Sequence, residues 1–502
     1  MLNFISPDPA ALHAGLRPDA VACIDLALDR SWTYRQLDAD IQRAVTVLSA
    51  EGVRAGDRVA VIARNSVYQI ILQQALMRHG AIFVPLNWRL SGQELGRLLE
   101  DCAPALLVSD DVSSALPDGW RRMSLSDFAG AIDAAAEAPR QPHRSGHDTC
   151  VILYTSGTSG APKGALLTAQ FLLATAINFG VLGEVDAGCV FLCDSPMFHV
   201  IGLVTQVWPA MLRGGTLIIS PGFDPAQTND RLANEDFGVT HYFCVPQMAE
   251  GLRHAANFDP SKWTKLKALF TGGAPNPSAR IRWWLDRGIR MVDGYGMTET
   301  GTTLGMPLCI NLLREKAGAV GFPGPLTVIR LVDDNENEVA NGEPGEILVL
   351  GPNVTTGYWN RPEERERAFT ADGWMRTGDI GRRDADGYIT IVDRRKDMFI
   401  SGGENVYPVE VEAALATHPA VREVSVIGVA HERWGEVGRA YIVVAPGAAA
   451  NEEELILHCQ ALIARYKVPK EFRFVESLPR TGSGKVMKHI LRREALAEGG
   501  QC

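Results

Sequence analysis

The chain has 502 residues, of which 46% are hydrophobic, 22% charged and 7% aromatic, with 49 Gly and 28 Pro. This ordinary globular composition excludes collagen-like, coiled-coil and largely disordered proteins, and the length predicts roughly three domains. The 59 acidic and 49 basic side chains give a net charge of -10, which repels phosphate backbones. Nucleic acid is therefore not an expected main partner.

The cysteines and the N-terminus predict a cytoplasmic protein. The nine Cys residues are odd in number and show no Cys-x-x-Cys spacing, so neither a disulfide framework nor a zinc site is expected. Residues 1–7 lack the basic and apolar regions of an export signal. Gln206 and Arg213 interrupt the longest apolar stretch, and a transmembrane segment is therefore not expected.

The first 140 residues alternate helical patterns with short β-rich runs. Helices are predicted at 35–50 and 66–79, followed by strands at Arg58–Ile62 and Ala81–Pro85. Such alternation is typical of an α/β fold with a mostly parallel sheet. The Ala-, Asp-, Pro- and Ser-rich stretch 112–147 shows little periodicity and is interpreted as a surface connection, after which the alternation resumes and continues to about 320.

A different texture begins near residue 325. Short strands separated by Asn-Gly, Gly-Pro and Asp-Gly turns predict a small β-rich subdomain at about 325–394. The charged run 393–397 then indicates a domain boundary, although a solvated strand end is the alternative. The strands predicted on the two sides of this boundary are Thr327–Val332, Glu346–Leu350, Tyr388–Val392, Glu423–Val429 and Ala440–Val444, with a helix near 451–464.

The most informative segment is YTSGTSGAPKG (154–164), which follows an apolar strand. Glycines allow backbone N–H groups to converge on an anion, hydroxyls add donors, and Lys163 adds positive charge, so the pattern predicts a polyphosphate-binding loop. It is not a GxxxxGK[ST] loop, because Gly164 stands where that motif places a magnesium-binding Ser or Thr. A Ser/Gly-rich surface turn is the alternative, which eleven consecutive matching positions disfavour.

This segment resembles the signature loop of the acyl-adenylate-forming superfamily, which includes acyl-CoA synthetases, peptide adenylation domains and beetle luciferases. Only Ser159 departs from the usual Thr. The further runs that resemble the family's motifs, in its order, are GYGMTET (294–300), TGD (377–379), DRRKDMFISGGENVYPVEVE (393–412) and PRTGSGKVMK (479–488). The resemblance implies a large N-terminal domain (1–394) of mixed α/β sheets with a β-rich subdomain, and a smaller, mobile α+β C-terminal domain (395–502).

The activity implied by the resemblance is that of an AMP-forming acid–CoA ligase, which makes an acyl-adenylate and pyrophosphate and then acylates a thiol. A carboxylate and the α-phosphate repel each other by about 4 kcal/mol at a separation of about 4 Å and an effective dielectric constant of about 20. A lysine between them removes this cost, and the family places its catalytic lysine at Lys485, in the loop 479–488. An ordinary exposed lysine is the alternative for Lys485 taken alone.

The resemblance also implies a nucleotide site. Tyr295 offers a flat face to adenine, Thr298 a hydroxyl to the α-phosphate, and Glu299 an oxygen to Mg²⁺. Asp379 and Arg394 are expected at the ribose, with a turn residue as the alternative for Asp379. The expected ATP-binding residues are Thr155, Ser156, Gly157, Thr158, Ser159, Gly160, Lys163, Gly273, Ala274, Gly294, Tyr295, Gly296, Thr298, Asp379, Arg394 and Lys485.

The C-terminal domain is expected to present one face for adenylation and another for thioester formation, turning about a hinge at Lys396. Glycines at 402 and 403 suit close passage of a thiol arm, but they are also consistent with a tight turn before a helix that starts at Pro408. The segment around Trp434 resembles the one that stacks on the adenine of coenzyme A in free-standing CoA ligases. The expected CoA-binding residues are Gly402, Gly403, Glu404 and Trp434.

The acyl pocket is expected to be mostly apolar, with no Lys or Arg in the segments that form it. The malonate branch carries an Arg where this chain has Gly251, which argues against malonate. The predicted pocket segments also offer no clear Asp to bind the ammonium group of an amino-acid substrate. An apolar monocarboxylate is therefore expected, either a fatty acid or an aryl-type acid. His199 is expected to face the carboxylate or gate the pocket, with a core histidine as the alternative. The expected pocket residues are His199, Val200, Cys244, Gly272, Gly273, Thr300 and Gly301.

Coenzyme A is the expected acceptor because no carrier domain follows, the chain ending 17 residues beyond Lys485. Two alternatives stay open. One is a stand-alone adenylation enzyme that loads a carrier protein. The other is a non-catalytic nucleotide-binding module, against which the presence of Lys485, Glu299 and Lys163 counts. The expected ligands are ATP, Mg²⁺, coenzyme A and a small carboxylic acid, and a homodimer is one expectation for the oligomeric state.

Overall fold

The computed structural model describes residues 6–110, 118–140, 144–155, 162–394, 397–401, 404–481 and 485–499. These residues form four sheets, of nine, six, four and five strands. The helices and strands of the first part are α1 (Pro9–Leu16), β1 (Val21–Asp25), β2 (Arg30–Thr33), α2 (Tyr34–Ala50), β3 (Arg58–Ile62), α3 (Val67–His79), β4 (Ile82–Pro85), α4 (Gly92–Cys102), β5 (Leu106–Ser109), β6 (Arg122–Ser124), α5 (Leu125–Ala134), β7 (Thr149–Thr155), β8 (Lys163–Thr168) and α6 (Ala169–Leu182).

The chain then continues through the second sheet and the β-rich region. The elements are β9 (Val190–Cys193), a π-helical turn (Ile201–Thr205), α7 (Val207–Arg213), β10 (Thr216–Ile219), α8 (Pro225–Ala233), β11 (His241–Cys244), α9 (Pro246–His254), a 3-10 turn (Pro260–Lys262), β12 (Ala268–Thr271), α10 (Ser278–Leu285), β13 (Met291–Met297), β14 (Gly301–Gly305), α11 (Ile310–Glu315), β15 (Phe322–Pro323), β16 (Val328–Val332), β17 (Pro344–Leu350), α12 (Pro362–Ala368), β18 (Met375–Arg383) and β19 (Ile389–Arg394).

The last part has its own sheet and three longer helices. Its elements are β20 (Phe399–Ser401), β21 (Glu404–Val406), α13 (Pro408–Leu415), β22 (Val421–His431), β23 (Gly435–Val444), α14 (Glu452–Leu462), a 3-10 turn (Arg465–Lys467), β24 (Glu471–Phe474) and α15 (Lys488–Gly499).

Two mostly parallel sheets form the large N-terminal domain, as the alternating pattern predicted. The nine-stranded sheet has the order β15-β14-β13-β12-β11-β9-β10-β1-β2 and is parallel from β13 to β1. The six-stranded sheet has the order β6-β5-β3-β4-β7-β8, with only β8 antiparallel. Helices cover such sheets on both faces, and α3 accordingly has every residue from Val67 to Met77 buried.

The stretch 112–147 is more ordered than its composition predicted. Residues 122–124 form β6, which extends the six-stranded sheet in parallel beside β5, and residues 125–134 form α5. The hydroxyl of Ser124 caps this helix, and Phe128 and Ile132 are buried one turn apart. A helix of ten residues with only two buried apolar side chains gives a weak periodic signal, which explains the wrong interpretation as a surface connection.

The β-rich region and the C-terminal domain have the secondary-structure types that the sequence predicted. Strands β16 to β19 form a four-stranded antiparallel sheet, and β20 to β24 form a separate sheet on which α13 and α15 pack. The change of sheet falls between Arg394 and Phe399, while the exact division at 394 stays a prediction. In the part of the chain described here, no helix is both long and apolar enough to cross a membrane.

Candidate active site

The segments predicted to bind the acyl group follow neighbouring parallel strands. β9, β11, β12 and β13 are adjacent in the nine-stranded sheet, so their carboxyl ends meet at one edge, where ligands of open α/β sheets bind. A Cβ built on Gly273 would lie 3.3 Å from Ile201 Cδ1 and 4.0 Å from Val245 Cγ1. Three separate loops, after β9, β11 and β12, therefore converge on Gly273, whose φ of 77° suits glycine.

The remaining predicted pocket residues lie around this point with different roles. Cys244 ends β11 and is fully buried, and a Cβ on Gly272 would lie 3.2 Å from the Phe243 ring. A Cβ on Gly301 would clash with the Thr175 hydroxyl of α6. The hydroxyl of Thr300 accepts hydrogen bonds from Met297 N and Thr303 Oγ1 (3.3 and 2.8 Å), so Thr300 stabilises its own turn. Val200, next to His199, is half-buried.

His199 is held in place by a residue that the sequence analysis missed. Asn65, which follows β3, is 7% exposed. Its Nδ2 donates to Ser195 O (2.9 Å), and its Oδ1 accepts from Met197 N (2.9 Å). These two bonds clamp the segment that leads into His199, just before the π-helical turn. The His199 Nε2 atom is buried and has no hydrogen-bond partner among the described residues.

The electrostatic surroundings keep His199 neutral. Burial, together with the smaller effect of the positive charges of Lys485 and Arg89, lowers its pKa to about 4. Arg89 lies near the aromatic segment, with its guanidinium carbon 5.8 Å from the centre of the Phe198 ring. The predicted catalytic lysine of the C-terminal domain therefore lies close enough to His199 to affect its charge, and Arg89 adds a cation that the predicted pocket segments did not contain.

Residues predicted at adenine and ribose come together from three strands. The Tyr295 phenol, on β13, donates to Asp379 Oδ2 on β18 (2.6 Å). Asp379 is 4% exposed, and its backbone N–H is bonded to Thr377 Oγ1 (3.1 Å). Arg394 is the cross-strand partner of Asp379 on β19. The sheet of the β-rich region thus brings TGD and the start of the 393–412 motif beside GYGMTET.

The turn that carries Thr298 and Glu299 is built around glycine. A Cβ on Gly296 would lie 1.9 Å from Gly301 O, a distance at which the two strands β13 and β14 could not keep their pairing. Two later residues support the turn, because Thr355 N donates to Glu299 O (2.7 Å) and Asn353 Nδ2 donates to Thr300 O (2.8 Å). Gly294, also predicted here, pairs with Gly305 in the same hairpin.

The predicted phosphate loop connects β7 and β8. Thr155 and Lys163 face each other at its base, while Ser156, Gly157, Thr158, Ser159 and Gly160 lie outside the described residues. Lys163 Nζ lies 2.5 Å from Glu364 Oε2 and 5.7 Å from the centre of the Tyr358 ring. The hydrogen bond from Lys163 lowers the pKa of Glu364. In this structure, a carboxylate thus pairs with the lysine predicted to bind phosphate.

Tyr358 contacts two of the predicted nucleotide-site residues. The Lys163 ammonium group lies over its ring, and its hydroxyl donates a hydrogen bond to Glu299 Oε1 (3.2 Å). Burial raises the pKa of Tyr358 and the Glu299 charge raises it further, so the phenol stays a neutral donor. The sequence offered no signal for this residue, since only the tertiary structure brings it to Glu299.

The predicted C-terminal site residues are only partly described. Lys485 is exposed, and its backbone N–H is bonded to the Thr481 hydroxyl (3.1 Å). Glu404 pairs with Ser401 between β20 and β21, and Trp434 is 40% exposed in the turn between β22 and β23, beneath the Arg433 guanidinium (4.8 Å). Lys396, Gly402 and Gly403 lie outside the described residues.

Glu299 fits a magnesium site in which the nucleotide supplies most of the ligands. Within the described ranges, no group of three or more His, Cys, Asp or Glu side chains could hold a metal ion on its own. Nucleotide-bound Mg²⁺ needs only one or two protein carboxylates, since phosphate oxygens and waters complete its octahedron. Glu299 is 6% exposed and carries the hard oxygen ligands that such a site requires.

Comparison with known proteins identifies two family domains. Residues 11–359 match the AMP-binding enzyme family, and residues 410–485 match the AMP-binding enzyme C-terminal domain. Among similar proteins, a feruloyl-CoA synthase from Amycolatopsis sp is 39% identical over 92% of this chain and 93% of its own. A long-chain-fatty-acid–CoA ligase from Mycobacterium tuberculosis is 36% identical over 97% of both chains.

A solved structure shares the whole architecture. ATP-bound MatB from Rhodopseudomonas palustris superposes with a TM-score of 0.88 at 31% identity, covering 97% of this chain and 98% of its own. The mixed sheets of the large N-terminal domain and the smaller C-terminal domain are therefore those of adenylate-forming enzymes.

Proposed function

Because the chain belongs to the AMP-binding enzyme family, in its acyl-CoA synthetase branch, we propose that it activates an apolar monocarboxylic acid with ATP and transfers the acyl group to coenzyme A. The first half-reaction forms a bond between a carboxylate oxygen and the α-phosphorus of ATP and releases pyrophosphate. In the second, the thiol sulfur of coenzyme A attacks the acyl carbon, and AMP leaves. A cytoplasmic location belongs to this proposal, supported by free thiols at the eight described cysteines.

The observation that carries the proposal is the effect of the Lys485 charge on His199, whose pKa is lowered first by burial and then by Lys485 and Arg89. It links the loop predicted to deliver a catalytic lysine to the edge of the sheet where the acyl segments converge. A positive charge here offsets the repulsion between the carboxylate and the α-phosphate, which is worth about 4 kcal/mol at about 4 Å. His199 stays neutral, and its buried Nε2 atom is available to the carboxylate without adding a second full charge.

The nucleotide is bound, in this proposal, by residues of the N-terminal domain. Tyr295 contacts adenine, Asp379 and Arg394 hold the ribose, and Thr298 donates to the α-phosphate. Lys163 leaves Glu364 to pair with the outer phosphates, together with the glycine-rich loop 156–161. Mg²⁺, when bound with the nucleotide, would offset the negative charge on the phosphates, with Glu299 as its protein ligand.

For the second half-reaction we propose a rotation of the C-terminal domain about Lys396. The thiol arm of coenzyme A then passes along Gly402, Gly403 and Glu404, and Trp434 stacks on the adenine of the coenzyme. An indole that is 40% exposed suits such stacking, because binding removes apolar surface from water. A carrier-protein thiol as acceptor is the second candidate, and the exposed indole favours coenzyme A over it.

The acid is proposed to be a fatty acid or an aryl-type acid. The pocket side chains that converge on Gly273 are Ile201 and Val245, which are apolar. Arg89 and Lys485 are the two cations that act on His199, and both suit the reacting carboxylate. The names of similar proteins include ligases of aryl-type acids and of long-chain fatty acids, and they are compatible with both classes.

The proposal is tested by measuring pyrophosphate release and acyl-CoA formation with fatty, cinnamic, arylacetic, malonic and amino acids, each with and without coenzyme A. Acyl-CoA production from one apolar class is the expected result. Pyrophosphate release that never leads to acyl-CoA would favour the carrier-protein acceptor, and no release with any acid would contradict the proposal.

A further inference from the structure

We propose that Tyr358 is a positioning residue that orients Glu299 for Mg²⁺ and couples it to Lys163 of the phosphate loop. The inference deepens the proposed function and rests on it. One side chain contacts both the predicted Mg²⁺ ligand and the lysine predicted to bind the phosphates. The phenol oxygen lies 3.2 Å from Glu299 Oε1, and the ring centre lies 5.7 Å from Lys163 Nζ.

The backbone around Tyr358 fixes this position tightly. Leu166 N donates to Gly357 O (3.0 Å) and Trp359 N donates to Gly164 O (2.8 Å), so residues 357–359 run as an added strand beside β8. Ala165 and Tyr358 form a β-bridge within it. The segment is therefore attached to β8, the strand that begins at Lys163.

The same segment also holds the turn of Glu299 through its backbone. Thr355 N donates to Glu299 O (2.7 Å), and Thr355 Oγ1 donates to Leu166 O (2.8 Å) on β8. Glu299 is thus bound at its carbonyl by Thr355 and at its carboxylate by Tyr358. Two contacts from one short segment fix both the position and the rotamer of this side chain.

The arrangement leaves the carboxylate able to bind a cation. Tyr358 donates one hydrogen bond to Oε1 and leaves the negative charge of the carboxylate unchanged. The ring meanwhile presents its negative face to Lys163, whose charge is balanced by Glu364 (2.5 Å). When phosphates replace Glu364 as the partner of Lys163, the tyrosine keeps the lysine and the metal carboxylate on adjacent sides of the same triphosphate.

The test measures Mn²⁺ binding directly and does not depend on turnover. Free Mn²⁺ is quantified by electron paramagnetic resonance while it is titrated into enzyme saturated with α,β-methylene ATP, whose α–β linkage the enzyme cannot cleave. The variants are Tyr358→Phe, which removes only the hydroxyl, and Tyr358→Leu, which also removes the ring. Tyr388→Phe is the matched control, because Tyr388 lies in the same β-rich region with Lys316 Nζ 5.2 Å from its ring centre.

Loss of an outer partner of a metal ligand typically weakens metal binding 10- to 100-fold, so Tyr358→Phe should weaken Mn²⁺ binding at least about tenfold. Tyr358→Leu should in addition weaken nucleotide binding at saturating Mn²⁺ by a factor of about 2–5, since a cation–π contact of this kind is worth about 0.5–1 kcal/mol. Tyr388→Phe should bind Mn²⁺ as the wild type does. Thermal melting verifies that all three variants are folded.

Wild-type Mn²⁺ affinity in Tyr358→Phe would overturn the inference, as would an equal loss in Tyr388→Phe. These results differ from a failure of the proposed function, in which the wild-type protein itself would bind neither the nucleotide analogue nor Mn²⁺.

Discussion

Replacing Asn65 with alanine tests whether this residue positions His199. The substitution removes two hydrogen bonds of 2.9 Å and leaves Ser195 O and Met197 N without that partner. Each buried group left unpaired costs about 1–3 kcal/mol, so the pair would cost about 2–6 kcal/mol if the segment stayed in place. We expect the segment to shift instead, because a displacement relieves part of that cost.

A shift of about 1 Å at a reacting group lowers rates about a hundredfold, equivalent to about 2.7 kcal/mol in the activation free energy. Asn65→Ala should therefore lower kcat for ATP–pyrophosphate exchange by about two orders of magnitude, with a smaller change in the KM for ATP, whose predicted ligands lie elsewhere. The assay is exchange kinetics at saturating acid, together with the thermal unfolding midpoint.

The control is Asn229→Ala, at a buried asparagine that donates to Leu252 O (3.0 Å) and takes no part in the site. It should lower the unfolding midpoint and leave kcat unchanged. If both variants lost similar stability and Asn65→Ala kept the wild-type kcat, the clamp on residues 195–197 would not position His199, and the reasoning would be refuted.

Three further predictions address other parts of the site. Lys485→Ala should lower the rate of pyrophosphate exchange roughly a thousandfold, because about 4 kcal/mol of repulsion is no longer offset. Transfer of the acyl group from a supplied acyl-adenylate to coenzyme A should persist, and an equal loss of both activities would contradict a role for Lys485 in the first step alone. The pKa of His199 is lowered to about 4, so this residue should become protonated only as the pH falls toward that value. The exchange rate should therefore show no inflection from His199 between about pH 5.5 and 8. A fall in rate below about pH 6.5 that disappears in His199→Gln would contradict a neutral His199. Gly296→Ala should abolish exchange and lower the unfolding midpoint, because its Cβ would lie 1.9 Å from Gly301 O. The control Gly180→Ala, in helix α6 with open space around it, should raise the free energy of unfolding by about 0.5–1 kcal/mol. Wild-type melting and exchange in Gly296→Ala would show that the turn can adapt.

The fold was predictable where periodicity is strong and local. The helices at 35–50 and 66–79 and their following strands show clear patterns, and the structure places α2, α3, β3 and β4 there. The order of the strands was not predictable in the same way. It depends on contacts between distant segments, such as β1 beside β10, that no local pattern records.

The residues of the candidate site show the same contrast between local sequence patterns and contacts between distant segments. Sequence motifs predicted site roles for Lys163, Tyr295, Glu299, Asp379 and Lys485, because glycine-rich runs and their flanking residues carry recognisable chemistry, and these roles stay predictions. The residues that support them were missed. Asn65 acts on Ser195 from 130 positions away, and Tyr358 acts on Glu299 from 59 positions away. The position of Asn65 just after the carboxyl end of β3 was the only available signal for that residue, and the sequence offered none for Tyr358.

The most direct test of the account is a single-turnover experiment with enzyme in excess over ATP labelled in its adenine, mixed with an apolar acid and quenched over time. Without coenzyme A, an enzyme-bound acyl-adenylate should accumulate. When coenzyme A is then added, that species should decay at the rate at which acyl-CoA and AMP appear. Acyl-CoA that formed without a preceding acyl-adenylate, or an acyl-adenylate that coenzyme A did not consume, would contradict the two-step ligase.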